Sequence, residues 1–220
     1  MINQNLTLAD LAVTHPGATR VFLKHNLDFC CRGRRRLEEV CNEKGIDPKT
    51  ILAEITAEDA NGGDLSELAV RPIAELVDFI ESYYHKRLRT ELPELITMAQ
   101  KVERVHMKNP ACPQDLASHL CMVHLAILDH LAKEEQVLFP IIRSGYRAQA
   151  GAPIRIIEQE HEDHGRNLAY LREMAHGFIA PPEACATWKA LYLRLNRLSN
   201  ELMEHIHLEN NVLFPRALCE

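Results

Sequence analysis

One phrase occurs twice in this chain. His130-Leu-Ala-Lys-Glu134-Glu-Gln-Val-Leu-Phe139-Pro140 returns 75 residues later as His205-Ile-His-Leu-Glu209-Asn-Asn-Val-Leu-Phe214-Pro215. Residues four apart share one face of a helix, so each His-x-x-x-Glu pair can hold a common metal or two adjacent ones. Two further histidines follow the same rhythm. His85 lies 45 residues before His130, and His161 lies 44 before His205. A single His-x-x-x-Glu is weak evidence, since most are surface ion pairs. Two copies inside an eleven-residue repeat, each preceded by a histidine at nearly the same spacing, point to a duplicated helical hairpin around a two-metal centre.

The rest of the chain agrees with an all-α fold. Helical periodicity runs throughout, with almost no alternating β-branched pattern. Residues 1–60 read as a small domain of short helices. Thr7-Leu-Ala-Asp10 has capping-box spacing, His15-Pro16-Gly17 opens a second helix, Leu37 to Lys44 ends at Gly45, and Asp47-Pro48 opens a fourth. Glu58 to Glu67 is polar, contains Asn-Gly-Gly and reads as a linker. Residues 68–220 read as four long helices: Pro72 to His106 with Pro93 dividing or kinking it, Pro113 to Ser144, Pro153 to His176, and Pro182 to Leu218. Short connections favour an up-down-up-down four-helix bundle.

The candidate ligands are therefore His85, His130, Glu134, His161, His205 and Glu209. Imidazole with carboxylate suits iron, zinc, copper or manganese, and the absence of thiolate argues against a structural zinc knot. Two symmetric carboxylates are suited to bridge two cations roughly 3.5 to 4 Å apart. With octahedral ions and a shared oxo or hydroxo ligand, about one position per metal stays open. Among nearby residues, Glu201 is a candidate to orient His205, and His164 to approach the site. Glu135 and Glu160 are acidic candidates that read more readily as solvated helix residues.

Composition limits the function classes. A net charge of -6 argues against non-specific nucleic-acid binding. No apolar run approaches the ~20 residues of a membrane span, and the N-terminus lacks the pattern of a signal peptide. Seven cysteines without a Cys-x-x-Cys look unlike a disulfide framework and point to a reducing cytoplasmic compartment. Cys41, Cys112, Cys121, Cys185 and Cys219 read as packing or surface residues. Cys30 and Cys31 differ. Vicinal cysteines rarely pair with each other, and the following Arg32-Gly33-Arg34-Arg35-Arg36 is expected to favour thiolate. Arg34 to Arg36 as a site for an acidic partner or nucleic acid is a minor option.

These residues resemble the hemerythrin-like di-iron bundles, and more closely the Repair of Iron Centres family of iron-sulfur cluster repair proteins. The resemblance covers nearly the whole chain. It is carried by Leu92-Pro-Glu-Leu through Lys101-Val-Glu-Arg-Val-His106, by Lys133-Glu-Glu-Gln-Val-Leu-Phe-Pro140, by Pro181-Pro-Glu-Ala-Cys185-Ala-Thr-Trp188-Lys and by Leu208-Glu-Asn-Asn-Val-Leu-Phe-Pro-Arg-Ala-Leu218. At the front, His15-Pro-Gly-Ala and Leu27-Asp28-Phe29-Cys30-Cys31 are similar to the family's small N-terminal domain. The resemblance implies a hemerythrin-like bundle whose six ligands match those named above, with two iron ions per chain. It also implies repair of iron-sulfur clusters damaged by nitric oxide or peroxide. The expected partners are damaged iron-sulfur proteins, and nitric oxide or oxygen as small ligands, with a homodimer as an option. Cys30 and Cys31 would gate the site, accept nitrosyl groups or pass iron outward.

Two departures qualify the resemblance. Hemerythrin's fifth histidine is missing, and Asn210 stands where oxygen carriers place an aspartate. Where the repair family usually follows its cysteines with glycines, this chain has Arg32-Gly33. A nitric oxide-reducing enzyme and a sensor or carrier of oxygen or nitric oxide are the rival expectations. A ferritin-like oxidase fits least, because it needs more carboxylates and Glu-x-x-His spacing.

Overall fold

A computed structural model of the chain describes residues 5–59, 68 and 70–219. Among them the regular structure is helical, apart from one isolated bridge between Thr7 and Arg36. The linker expected at Glu58 to Glu67 lies outside the described residues from position 60 onward. The chain divides into two compact units. One comprises Met1–Asp78, Ile142–Gly151 and Met203–Glu220, and the other Phe79–Ile141 and Ala152–Leu202.

In the first unit, α1 (Leu8–Thr14), α2 (Ala18–Lys24), α3 (Leu37–Lys44) and α4 (Pro48–Asp59) enclose a small core. The capping box at the start of α1 forms as the sequence predicts. Thr7 Oγ1 accepts from the Asp10 amide at 3.0 Å, and Asp10 returns the bond to the Thr7 amide at 3.2 Å. Gly45, at φ +67°, ends α3 in the left-handed conformation that glycine adopts without cost. Leu11, Phe22, Leu27, Phe29, Leu37, Ile51 and Ile55 fill the core, with Met203 packed against it. None of these helices is long enough to be stable alone, and burial of their apolar faces supplies what propensity does not.

The second unit holds a four-helix bundle, built from α6 (Lys86–His106), α7 (Leu116–Lys133), α9 (Arg147–Met174, from Ala152) and α10 (Ala186–Leu208, to Leu202). Each carries an apolar stripe at spacings of three and four. Leu88, Leu92, Leu95, Ala99 and Val102 are buried on α6, and Ile154, Ile157, His161, His164, Leu168 and Leu171 on α9. The candidate ligand His161 of α9 thus occupies a core position. Neighbouring helices run antiparallel, because partner numbers fall on one as they rise on the next. Arg87 meets Glu201 while Arg194 meets Glu91, and His119 meets Asn167 while His130 meets Glu160. Glu103 meets Ala117 while Arg89 meets Glu135, so α6 and α7 are antiparallel too, and the order is the up-down-up-down one that short connections predict.

The helix boundaries correct the sequence reading at two prolines. Pro93 does not divide α6, which runs unbroken through it. Pro93 and Arg89, whose carbonyl loses its donor, both lie exposed, where solvent can take the acceptor. Pro153, expected to open the third helix, lies inside α9, which starts six residues earlier at Arg147, just after Gly145 at φ +71°.

The sequence reading also missed three π-helical turns, at Ile80–His85, Glu134–Leu138 and Glu209–Leu213, joining α5 (Ile73–Phe79) to α6, α7 to α8 (Phe139–Ser144), and α10 to α11 (Phe214–Cys219). The repeated Phe-Pro explains the last two. Pro140 and Pro215 have no amide hydrogen for the preceding turn. In both copies the amide of the phenylalanine just before reaches five residues back, Phe139 to the Glu134 carbonyl and Phe214 to that of Glu209. Each widened turn begins at the glutamate of its His-x-x-x-Glu pair, and the first ends at His85. Such turns are rare and gather at functional sites.

Candidate metal centre

The bundle unit brings four of the predicted ligands together. His85 arrives at the end of its π turn, His130 from the last turn of α7, Glu134 from the first residue of the next π turn, and His161 from the buried stripe of α9. Glu134 and both His85 and His161 are fully buried, and His130 nearly so. His85 Nε2 stands 3.4 Å from Glu134 Oε2, and His130 Nε2 stands 3.4 Å from Glu134 Oε1. His161 Nε2 lies 3.2 Å from His130 Nε2 and 4.0 Å from Glu134 Oε1. The ligand atoms of His130, Glu134 and His161 all fall within 4.8 Å of one another.

The outer nitrogens explain why the inner ones converge. His85 Nδ1 donates to Glu135 Oε1 at 2.7 Å, and His130 Nδ1 donates to Glu160 Oε2 at 2.9 Å. A carboxylate can only accept, so both rings hold their proton on the outer nitrogen and turn a lone pair inward. These carboxylates are fixed in their turn. Arg89 grips Glu135 with two bonds of 2.8 and 2.9 Å, and Lys133 pairs with Glu160. Burial pushes the Glu135 carboxyl up, but Arg89 and His85 outweigh it and hold the group below the usual carboxylate range. Glu135 and Glu160, read from sequence as solvated, are therefore the residues that orient two candidate ligands, in the carboxylate–histidine arrangement found around bound metals. No local pattern marks them, since their partners are 50 and 30 residues away. Glu201 does not take the role expected of it. Its oxygens accept from Arg87 and Arg197. His164 is buried edge-on to His130, with ring centroids 4.8 Å apart.

Several imidazole lone pairs beside a carboxylate removed from water form a donor set that a cation completes. Without one, the buried charge and the opposed nitrogens would be costly. The donors are nitrogen and oxygen only, which suits a borderline-hard divalent ion such as iron.

The other predicted ligands lie in the first unit. His205 Nε2 is 3.0 Å from Glu209 Oε1, and both side chains are buried. The residues after Glu209 do something different from those after Glu134. Asn210 Nδ2 donates to the Cys30 carbonyl at 3.1 Å, and Asn211 Nδ2 donates to the Phe29 carbonyl at 3.2 Å and lies 2.9 Å from His207 Nδ1. An aspartate at position 210 could not make the first bond, which gives the departure from the oxygen carriers a physical reason. His207 is buried against the edge of Phe29, and burial pulls its pKa down to about 4, so it stays a neutral acceptor for Asn211.

The helix carrying Glu209 is thus tied to the turn that carries the vicinal cysteines. The Sγ atoms of Cys30 and Cys31 lie 3.5 Å apart and are not joined as a disulfide. Asp28 Oδ1 accepts from Cys30 Sγ and from the amides of Cys31 and Arg32, so that it closes the turn. Its ligand atoms and those of the two cysteines lie within 4.8 Å. The sequence expectation of an arginine-favoured thiolate fails at Cys30. Hydrogen bonding with Cys31, burial and the nearby Asp28 charge raise its pKa well above the ordinary thiol range. Arg35 is meanwhile engaged with Glu43. The glycine retained in this turn is obligatory, because a Cβ on Gly33 would sit 2.4 Å from the Phe29 carbonyl oxygen.

Residues 77–217 match the hemerythrin HHE cation binding domain, and residues 4–59 match a domain of unknown function, DUF542. Over 218 residues the chain is 42% identical to the iron-sulfur cluster repair protein YtfE of Pectobacterium carotovorum subsp. carotovorum (strain PC1), covering 99% of each chain. Over 215 residues it is also 42% identical to the protein of that name from Yersinia pseudotuberculosis serotype IB (strain PB1/+), covering 98% of this chain and 97% of the relative.

Proposed function

Because the chain belongs to the hemerythrin HHE family and, along its whole length, to the family of the iron-sulfur cluster repair protein YtfE, we propose that it repairs iron-sulfur clusters damaged by nitrosative or oxidative stress, by supplying iron in the cytoplasm. In this reading His85, His130, His161, His205, Glu134 and Glu209 would hold two irons. The observation that carries it is the fully buried Glu134, faced by imidazoles whose outer nitrogens are held by carboxylates.

Bound iron would supply a labile, redox-active cation. The chain's own residues do the rest. Glu135 and Glu160 keep the protons of His85 and His130 on Nδ1, leaving Nε2 for the cation, and burial keeps water from competing for the donors. Asn210 and Asn211 hold the Phe29–Cys30 backbone against the helix that carries Glu209. Cys30 and Cys31 stand there as thiols able to accept a nitrosyl group or to pass iron to a damaged cluster protein. Replacing Glu134 by Ala should lower bound iron by half or more and lower repair of a nitric oxide-damaged cluster in step. Full repair by the iron-depleted variant would end the iron-donor reading.

A further inference from the structure

Cys185, read from sequence as a packing or surface residue, sits in an unusual setting. It precedes Ala186, the first residue of the 23-residue helix α10, and is half-buried. Its Sγ lies 3.2 Å from His106 Nε2, at the last residue of α6. The His106 ring is seated against Trp188, with centroids 5.0 Å apart. Beside the pair opens a cleft of about 700 Å³, lined by Arg104, His106, Lys108, Asn109 and Glu183 among others. The Glu183 carboxylate is tied to Asn109 Nδ2 at 3.2 Å, while Arg104 and Lys108 add two positive charges to the lining. His106 follows His85 by 21 residues of continuous helical chain, about 30 Å at 1.5 Å per residue, so this place is separate from the metal ligands of the bundle unit.

We propose that Cys185 and His106 form a second thiol site, which exchanges with anionic low-molecular-weight disulfides held in the adjoining cleft. His106 takes the thiol proton, and the Cys185 sulfur attacks one sulfur of the small disulfide. The bond between the two sulfurs of that disulfide breaks, a Cys185 mixed disulfide forms, and the departing thiolate takes up the proton from His106. No outside oxidant or reductant is required. The amides of Trp188 and Thr187 in the first turn of α10, together with His106, also hold the Cys185 thiol below its usual range, Trp188 contributing most. Cys30 is shifted the opposite way, so the two thiol sites differ in kind.

The test treats the metal-loaded full chain with oxidised glutathione, and in parallel with the uncharged hydroxyethyl disulfide. Adducts are followed by intact mass and assigned by peptide mapping. With oxidised glutathione, Cys185 should react about tenfold or more faster than the exposed Cys219 of the same chain. His106→Gln should slow Cys185 about tenfold with both reagents. Replacing both Arg104 and Lys108 by Gln should slow it several-fold with glutathione only. Reaction of Cys185 at or below the rate of Cys219 in the unaltered protein would overturn the proposal without any variant. An unchanged rate in His106→Gln would overturn the role of the pair, and equal slowing toward both reagents would overturn the role of the cleft.

Discussion

The two copies of the repeated phrase have kept the same backbone and diverged around it. In each, histidine and glutamate share a face, the glutamate opens a π turn, and Phe-Pro restarts an α-helix. The next position separates them. Glu135 turns outward to fix His85, whereas its counterpart Asn210 donates to the Cys30 carbonyl. Likewise Val137 is 50% exposed and its counterpart Val212 is 4% exposed, and Ala132 is matched by the buried His207. What the copies share is the His-x-x-x-Glu pair proposed to coordinate. The flanking positions were free to specialise, one copy toward orienting a neighbouring ligand and the other toward holding the cysteine turn.

That contrast can be broken by experiment. The largest effect is expected at the shared positions: Glu134→Ala and Glu209→Ala should each cost at least one of two irons, read as metal per chain after gel filtration. Strong loss in one and none in the other would end the equivalence of the copies. Next comes Glu135→Gln, which weakens the hold on His85 and should reduce iron affinity about 10- to 100-fold, the range typical of such orienting partners. Asn210→Asp should instead leave iron affinity within about twofold. It should destabilise the cysteine turn by about 1–3 kcal/mol, visible as faster amide exchange at Phe29 to Cys31, because two acceptors would then face each other. Metal loss in Asn210→Asp equal to that in Glu135→Gln would contradict the division of labour. The smallest contrast lies in packing. Val212→Ala should cost about 2 kcal/mol in thermal unfolding and Val137→Ala under about 0.5 kcal/mol, following their burial.

Much of this was legible in the sequence, because helical spacing alone places His130 with Glu134 and His205 with Glu209. The capping box at Thr7 and the stop at Gly45 are likewise local chemistry. The π turns were not foreseen, although Phe-Pro inside a periodic segment was their signal: a proline without a donor must be accommodated by a kink or a wider turn. Pro153 reads as a helix opening, yet α9 starts at Arg147, because Arg147 to Ala150 are residues that a helix accepts readily. Glu135, Glu160 and Asn210 stayed hidden for a different reason. Their roles depend on partners 50, 30 and 180 residues away, which no spacing rule connects. Cys185 was missed on similar grounds, since His106 is 79 residues distant.

The central claim is the metal content of the six-residue set, and elemental analysis of anaerobically purified protein addresses it most directly. Two irons per chain are predicted, falling together with cluster repair when Glu134 is removed. One zinc per chain, or no metal in a fully folded protein, would contradict the account and leave the repeat as a feature of fold alone.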